Sequence, residues 1–161
     1  MHTQPSSAKL RKKLNLKRYL DELTALIGRP VHADELGSLE QATSIREASQ
    51  KFHAQATQAC EMPFSERCSE RFQGFVQRLH GANHSSVYVW TPRTIDCGML
   101  LVPSLAAVKF TFDFAVNEDG IFVFLTSDLE DRLLLDFSVS PKGEQVMKVE
   151  TQGANWVSVT Y

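Results

Sequence analysis

Three cysteines, Cys60, Cys68 and Cys97, are too few and too unevenly spaced to make a framework of paired disulfides. No apolar run approaches the roughly 20 residues that span a bilayer, and the first eight residues lack the apolar core of a secretory signal. The eight glycines are scattered, so no phosphate-cradling loop is present. No acidic residue occurs among the first twenty, and no aromatic precedes Tyr19. These absences argue against a secreted disulfide scaffold, a helical membrane protein and a nucleotide-binding enzyme. The expectation is a cytoplasmic protein without membrane partners.

What is present is an ordinary globular composition with an uneven charge. The 161 residues carry a net charge of −2. Lys9, Arg11, Lys12, Lys13, Lys17 and Arg18 crowd the start of the chain, and the other 141 residues hold 11 basic and 19 acidic side chains, a net of −8. A basic head sits on an acidic body. The length suits one domain with its own core and no need of staples.

Hydrophobic periodicity divides the chain. Residues 1–7 read as a loose tail and 8–161 as a single α+β domain, helical over 8–82 and sheet over 86–161. Leu10, Leu14, Leu16, Leu20, Leu23 and Ile27 recur at helical spacing until Gly28 and Pro30 stop the first helix. Ser38 with Gln41 forms a capping pattern for a second helix, whose thin stripe of Leu39, Ala42, Ile45, Phe52, Ala56 and Ala59 runs to Pro63. Ser65 caps a third, with Phe72, Phe75, Val76 and Leu79 inward and Gly81 and Asn83 at its end.

Beyond His84 the period falls to 2. Strands are expected at 87–91, 99–102, 108–116, 121–126, 132–140, 144–150 and 156–161, an antiparallel meander of five to seven strands on which about three helices pack. Pairing Thr126 with Arg132, Ser140 with Glu144 and Glu150 with Trp156 gives one apolar face carrying Phe112, Leu135, Met147 and Val149, which the helices should cover. The opposite face then carries Asp113, Phe122, Phe124, Leu134, Asp136 and Trp156, with Asp136 facing Lys148. Its aromatic content exceeds what a solvated face tolerates, so either another element of the chain covers it or these six residues form a partner or homodimer contact.

Three chemistries compete with protein binding. Cys60, Cys68, Cys97, His80 and His84 contain zinc-ligand types, but no cysteine pair has ligand spacing, so no metal or cofactor is expected. Cys97 beside Asp96, with His80 or His84 as base, would make an enzyme with a Cys/His site. Lys9, Arg11, Lys12, Lys13, Lys17 and Arg18 would contact phosphates in a nucleic-acid-binding accessory protein, although the acidic body repels such a ligand. The reading preferred from sequence is a non-enzymatic protein-binding domain with no catalytic residues. It takes the form of a small inhibitor or immunity protein masking a basic partner such as a toxin.

Overall fold

The computed structural model of the protein describes residues 7–161; of the tail expected over residues 1–7, residues 1–6 lie outside the described residues and Ser7 already belongs to the first helix. The first helix, α1 (Ser7–Ile27), stops where its glycine allows. Gly28 takes φ +75°, and its N–H donates to Thr24 O at 2.9 Å.

The second helix, α2 (Leu39–Ala48), starts as expected, with Ser38 Oγ accepting from Gln41 N at 3.0 Å. It does not run on to Pro63. A 3₁₀ turn (Ser49–Ala54) ends it, and Thr57–Pro63 forms strand β1. The reason is tertiary. Gln152 Nε2 donates to Phe52 O at 2.7 Å and to Thr57 Oγ1 at 2.8 Å, which turns the chain onto the edge of the sheet. A full antiparallel ladder then outweighs a stripe made mostly of alanine.

The third long helix, α3 (Glu70–Ala82), is capped by Ser69 rather than Ser65, because a 3₁₀ turn (Phe64–Cys68) occupies the preceding residues. Then follow β2 (Val87–Trp90), the short α4 (Thr94–Cys97), β3 (Leu100–Val102), β4 (Ile121–Thr126), β5 (Asp131–Val139) and β6 (Gln145–Gly153). The result is an α+β fold around one antiparallel sheet of order β1-β6-β5-β4-β2-β3.

Two expected strands are absent. Residues 108–116 make successive turns across the inner sheet face, held by Lys109 N to Leu26 O at 2.7 Å and Arg67 Nε to Phe112 O at 2.8 Å. Their alternation survives as burial: Val108, Phe110 and Phe112 point inward, while Lys109, Thr111 and Asp113 stay exposed. Residues 156–161 are likewise turn and coil. Trp156 is fully buried, donating from Nε1 to Leu79 O at 2.9 Å.

Register decides which face is which. The β5–β6 pairing is as read, with Phe137 opposite Met147, Leu135 opposite Val149 and Asp136 opposite Lys148. The β4–β5 pairing is shifted by one, with Leu125 rather than Thr126 opposite Arg132. Asp131 causes the shift. Instead of ending the turn it joins the strand, buried, accepting from Asn83 Nδ2, Asn155 N, Asn155 Nδ2 and Trp156 N at 2.7–2.9 Å. The turn loses a residue, and every β4 side chain changes sides. Phe122 and Phe124 therefore enter the main core with Leu133, Leu135 and Phe112. Phe122 packs edge-on to Phe112 at 5.0 Å, a geometry worth about 0.5–1.5 kcal/mol beyond area.

Val123 and Leu125 turn outward, where α2 and the 3₁₀ turn cover them with Ala42, Ile45 and Phe52. Helical structure thus lies on both faces of the sheet, not one. Over β5 and β6 the outer face stays open, with the Lys148 ammonium 2.6 Å from Glu150.

Candidate functional site

The six-residue contact surface expected from sequence is not assembled. Phe122, Phe124 and Trp156 are fully buried. Leu134 and Asp136 do lie on the outer sheet face, half-buried and exposed respectively. Asp113 is exposed, but on the inner side, in the loop that faces α1.

All of Lys9, Leu10, Arg11, Lys12, Lys13 and Leu14 are exposed, so among the described residues nothing covers this stretch of α1, while Tyr19, Leu23 and Leu26 anchor its second half in the core. Leu10 and Leu14, one turn apart on one face, are 57% and 52% exposed. Leu39, at the first position of α2, is 45% exposed. Leu14 and Leu39 line a groove of about 530 Å³ with Ile95, rimmed by Arg11, Lys12 and Arg18 on one side and Asp96 on the other.

On the other flank of α1 lies a second cleft, of about 400 Å³, between the helix and residues 113–118. Asp21, Glu22, Asp113 and Glu118 line it together with Arg18 and Arg93. Arg93 is its organiser. Nε donates to Asn15 Oδ1 at 2.8 Å, Nη1 donates to Glu22, and Nη2 stands 3.5 Å from Glu118. Arg18 adds a second cation 3.6 Å from Glu118. Beneath, the Tyr19 hydroxyl donates to Gly98 O at 2.7 Å and meets Thr94 Oγ1 at 3.0 Å, fixing α4 against α1. Burial pushes the Tyr19 hydroxyl far above its ordinary range. Glu22 is only 4% exposed, and burial raises its carboxyl above the usual value, the Arg93 guanidinium only partly offsetting this.

The histidine–cysteine chemistry is not brought together. No described hydrogen bond joins Cys97 to a histidine, and burial together with Asp96 pushes its thiol up, away from the reactive thiolate. His80 and His84 stack edge-on to one another at 5.0 Å at the end of α3. Cys68 Sγ points to Phe110 O at 3.8 Å. Among the described residues no group of three or more His, Cys, Asp or Glu could hold a metal ion, and no helix is long and apolar enough to cross a membrane.

Sequence reading found the cations but not the groove they border. Leu10 and Leu14 were legible as a helical pair, and their immersion in six positive charges was the available signal that they lack a partner in the core. Glu22, Arg93 and Asp113 carried no such signal, since only the folded chain juxtaposes them. Compared with protein-family models, curated proteins and solved structures, the chain matches none.

Proposed function

We propose that this chain is a non-enzymatic protein-binding domain whose groove beside α1 takes an acidic, amphipathic segment of another protein. One observation carries the reading: Leu14 and Leu39, two of the large apolar side chains left half bare, line the same cation-rimmed groove, and Leu10, also half bare, lies one turn before Leu14 on the same helix face. Fully burying a leucine is worth about 1.5–3 kcal/mol, so covering what remains exposed of the two in the groove contributes roughly 2 kcal/mol. Arg11, Lys12 and Arg18 supply the charge that selects an acidic occupant and speeds its arrival.

A nucleic acid would use the same cations but gains nothing from the leucines, and no aromatic side chain lines the groove to stack bases. The test compares the wild type with Leu14→Glu in affinity capture, followed by titration of an acidic helical peptide taken from whatever is captured. Leu14 is exposed, so the substitution should leave stability within about 0.5 kcal/mol. Binding of that peptide should weaken at least about tenfold, or 1.4 kcal/mol. Undiminished binding by the variant removes the groove. Equal binding of labelled single-stranded RNA by both proteins favours the nucleic-acid reading.

The expectation of a basic partner, and with it an inhibitor or immunity role, draws its support from the other flank of α1, whose chemistry is opposite.

A further inference from the structure

We infer that strand β1 pairs edge to edge with β1 of a second copy of this chain, making a two-fold dimer whose sheet runs on from one copy into the other. The inference stands apart from the groove beside α1 and uses a different part of the molecule. β1 closes one side of the sheet. One of its edges is laddered to β6 without a bulge, from Thr57 opposite Gln152 to Pro63 opposite Val146. Along its other edge, among the described residues, no backbone group of another element bonds to it. Thr57, Ala59, Glu61 and Pro63 are exposed. A bare row of N–H and C=O groups is a template for another strand. The usual guards are missing here: the strand has no lysine and no bulge, and its proline comes only at the last position.

The opposite side of the sheet is guarded. β3 spans only Leu100–Val102, and there Leu36 bridges Leu100 while Gly37 N donates to Met99 O at 2.9 Å. A second copy therefore offers β1 and not β3, so like pairs with like. Such an interface is isologous and closes on itself, giving a dimer rather than a fibre. A two-fold axis perpendicular to the sheet sets the two strands antiparallel with corresponding faces on the same side, which is the geometry an antiparallel ladder needs.

The side chains select where that axis passes. With the axis at Cys60, the middle residue, every position pairs: Thr57 with Pro63, Gln58 with Met62, Ala59 with Glu61, and Cys60 with Cys60 of the second copy. With the axis at Glu61, two carboxylates stand directly opposite one another, which is destabilising, and Thr57 and Gln58 lose their places. With the axis at Ala59, Met62 and Pro63 lose theirs. Glu61 is the one charged residue of the strand, and it already lies opposite Lys148 of β6, so the edge presents no net charge to repel its copy. On the inner face, the half-buried Val159 and Tyr161 share a small pocket with Cys60 and add apolar surface next to the seam.

A short ladder with little further burial makes a weak dimer, so sedimentation velocity of the whole chain is run from about 1 to about 1,000 µM, the span that transient interfaces require. The mean mass should rise toward that of a dimer. Oxidation by diamide in the Cys68→Ser background, which removes the exposed thiol, should link two copies through Cys60. Opposite Cα atoms in an antiparallel pair lie about 4.5–5.5 Å apart, inside the range a disulfide bridges. Adding Cys60→Ser should abolish the link. Ala59→Glu sets a carboxylate opposite Glu61 of the second copy and should weaken the dimer several-fold, whereas Ala59→Lys at the same exposed position should tighten it several-fold. Opposite signs separate charge pairing at this register from a loss of folding, which would weaken both. Leu14→Glu should leave dimerisation unchanged, so failure of the edge and failure of the groove are told apart. A covalent dimer that survives Cys60→Ser, or responses of the same sign from the two Ala59 variants, would overturn the register and with it the assignment. A chain that stays monomeric throughout would overturn it as well, in favour of a strand from another protein on β1.

Discussion

Glu22 shows how one residue can be both support and liability. It belongs to the buried half of α1, and its contact with Arg93 ties that helix to the loop between β2 and α4. Yet burial makes its charged form costly, so its carboxyl titrates above the ordinary value of 4.5. A folded-state value above the unfolded one means that the folded chain holds the proton more tightly. The stability this confers is complete below 4.5 and declines as pH rises through the raised value. Glu22→Gln has no proton to lose. The stability difference between wild type and this variant should therefore move in favour of the variant as pH rises from about 4 to 7. Urea unfolding of both proteins at steps across that window checks the sign; a difference that stayed flat, or moved toward the wild type, would place Glu22 in a wetter setting than its burial implies.

At the scale of elements, Asp131 and the hairpin it closes explain most of what the sequence made legible and what it hid. The β5–β6 hairpin was readable because its Pro141-Lys142-Gly143 turn is short and strongly typed, with Gly143 at φ +82°. The β4–β5 turn offers several acids that look alike in sequence. Only one of them, Asp131, is buried, and it receives its donors from residues 83, 155 and 156. Nothing local marks that role, so the register slipped by one and the aromatic face was assigned to the wrong side. Strand β1 was hidden for a related reason, since Gln152, almost a hundred residues away, turns the chain there. The cleft was hidden too, being drawn from three separate parts of the chain.

Removing the Asp131 carboxylate should consequently be far costlier than removing its neighbours in turns. Asp131→Ala leaves Asn155 and the Trp156 amide without that acceptor, reduces Asn83 to its longer contacts with Asp128, and should cost at least about 3 kcal/mol. Asp119→Ala, at an exposed position, should stay within about 0.5 kcal/mol. Denaturant unfolding measures both. Similar costs for the two would mean that the Asp131 network contributes little, and would reopen the register of β4.

On the scale of the whole molecule, the two sides of the sheet have separate cores, and how tightly they are coupled decides whether the groove can be a rigid docking site. The inner core gathers Tyr19, Leu23 and Leu26 of α1, Phe72 and Leu79 of α3, the inward residues of 108–116 and Trp156. The outer one is smaller, built from Ala42, Ile45, Phe52, Met99, Val123 and Leu125, with Trp90 half-buried at its margin. Strand β4 belongs to both, since Phe122 and Phe124 face in while Val123 and Leu125 face out. A strand cannot keep one of its faces packed after losing the other, because both depend on the same backbone ladder. The groove spans this division, with Leu14 on the inner-core helix and Leu39 on the helix that covers the outer face. Cooperative unfolding is therefore expected across the whole chain. The two tryptophans report on it from opposite sides. In Trp90→Phe the fluorescence of Trp156 follows the inner core; in Trp156→Phe, which will be less stable, that of Trp90 follows the outer one. In each variant the fluorescence midpoint in urea should coincide with its own far-ultraviolet circular dichroism midpoint. An earlier Trp90 transition would show that α2 detaches first, leaving Leu39 free to move away from Leu14 and the groove without a fixed second wall.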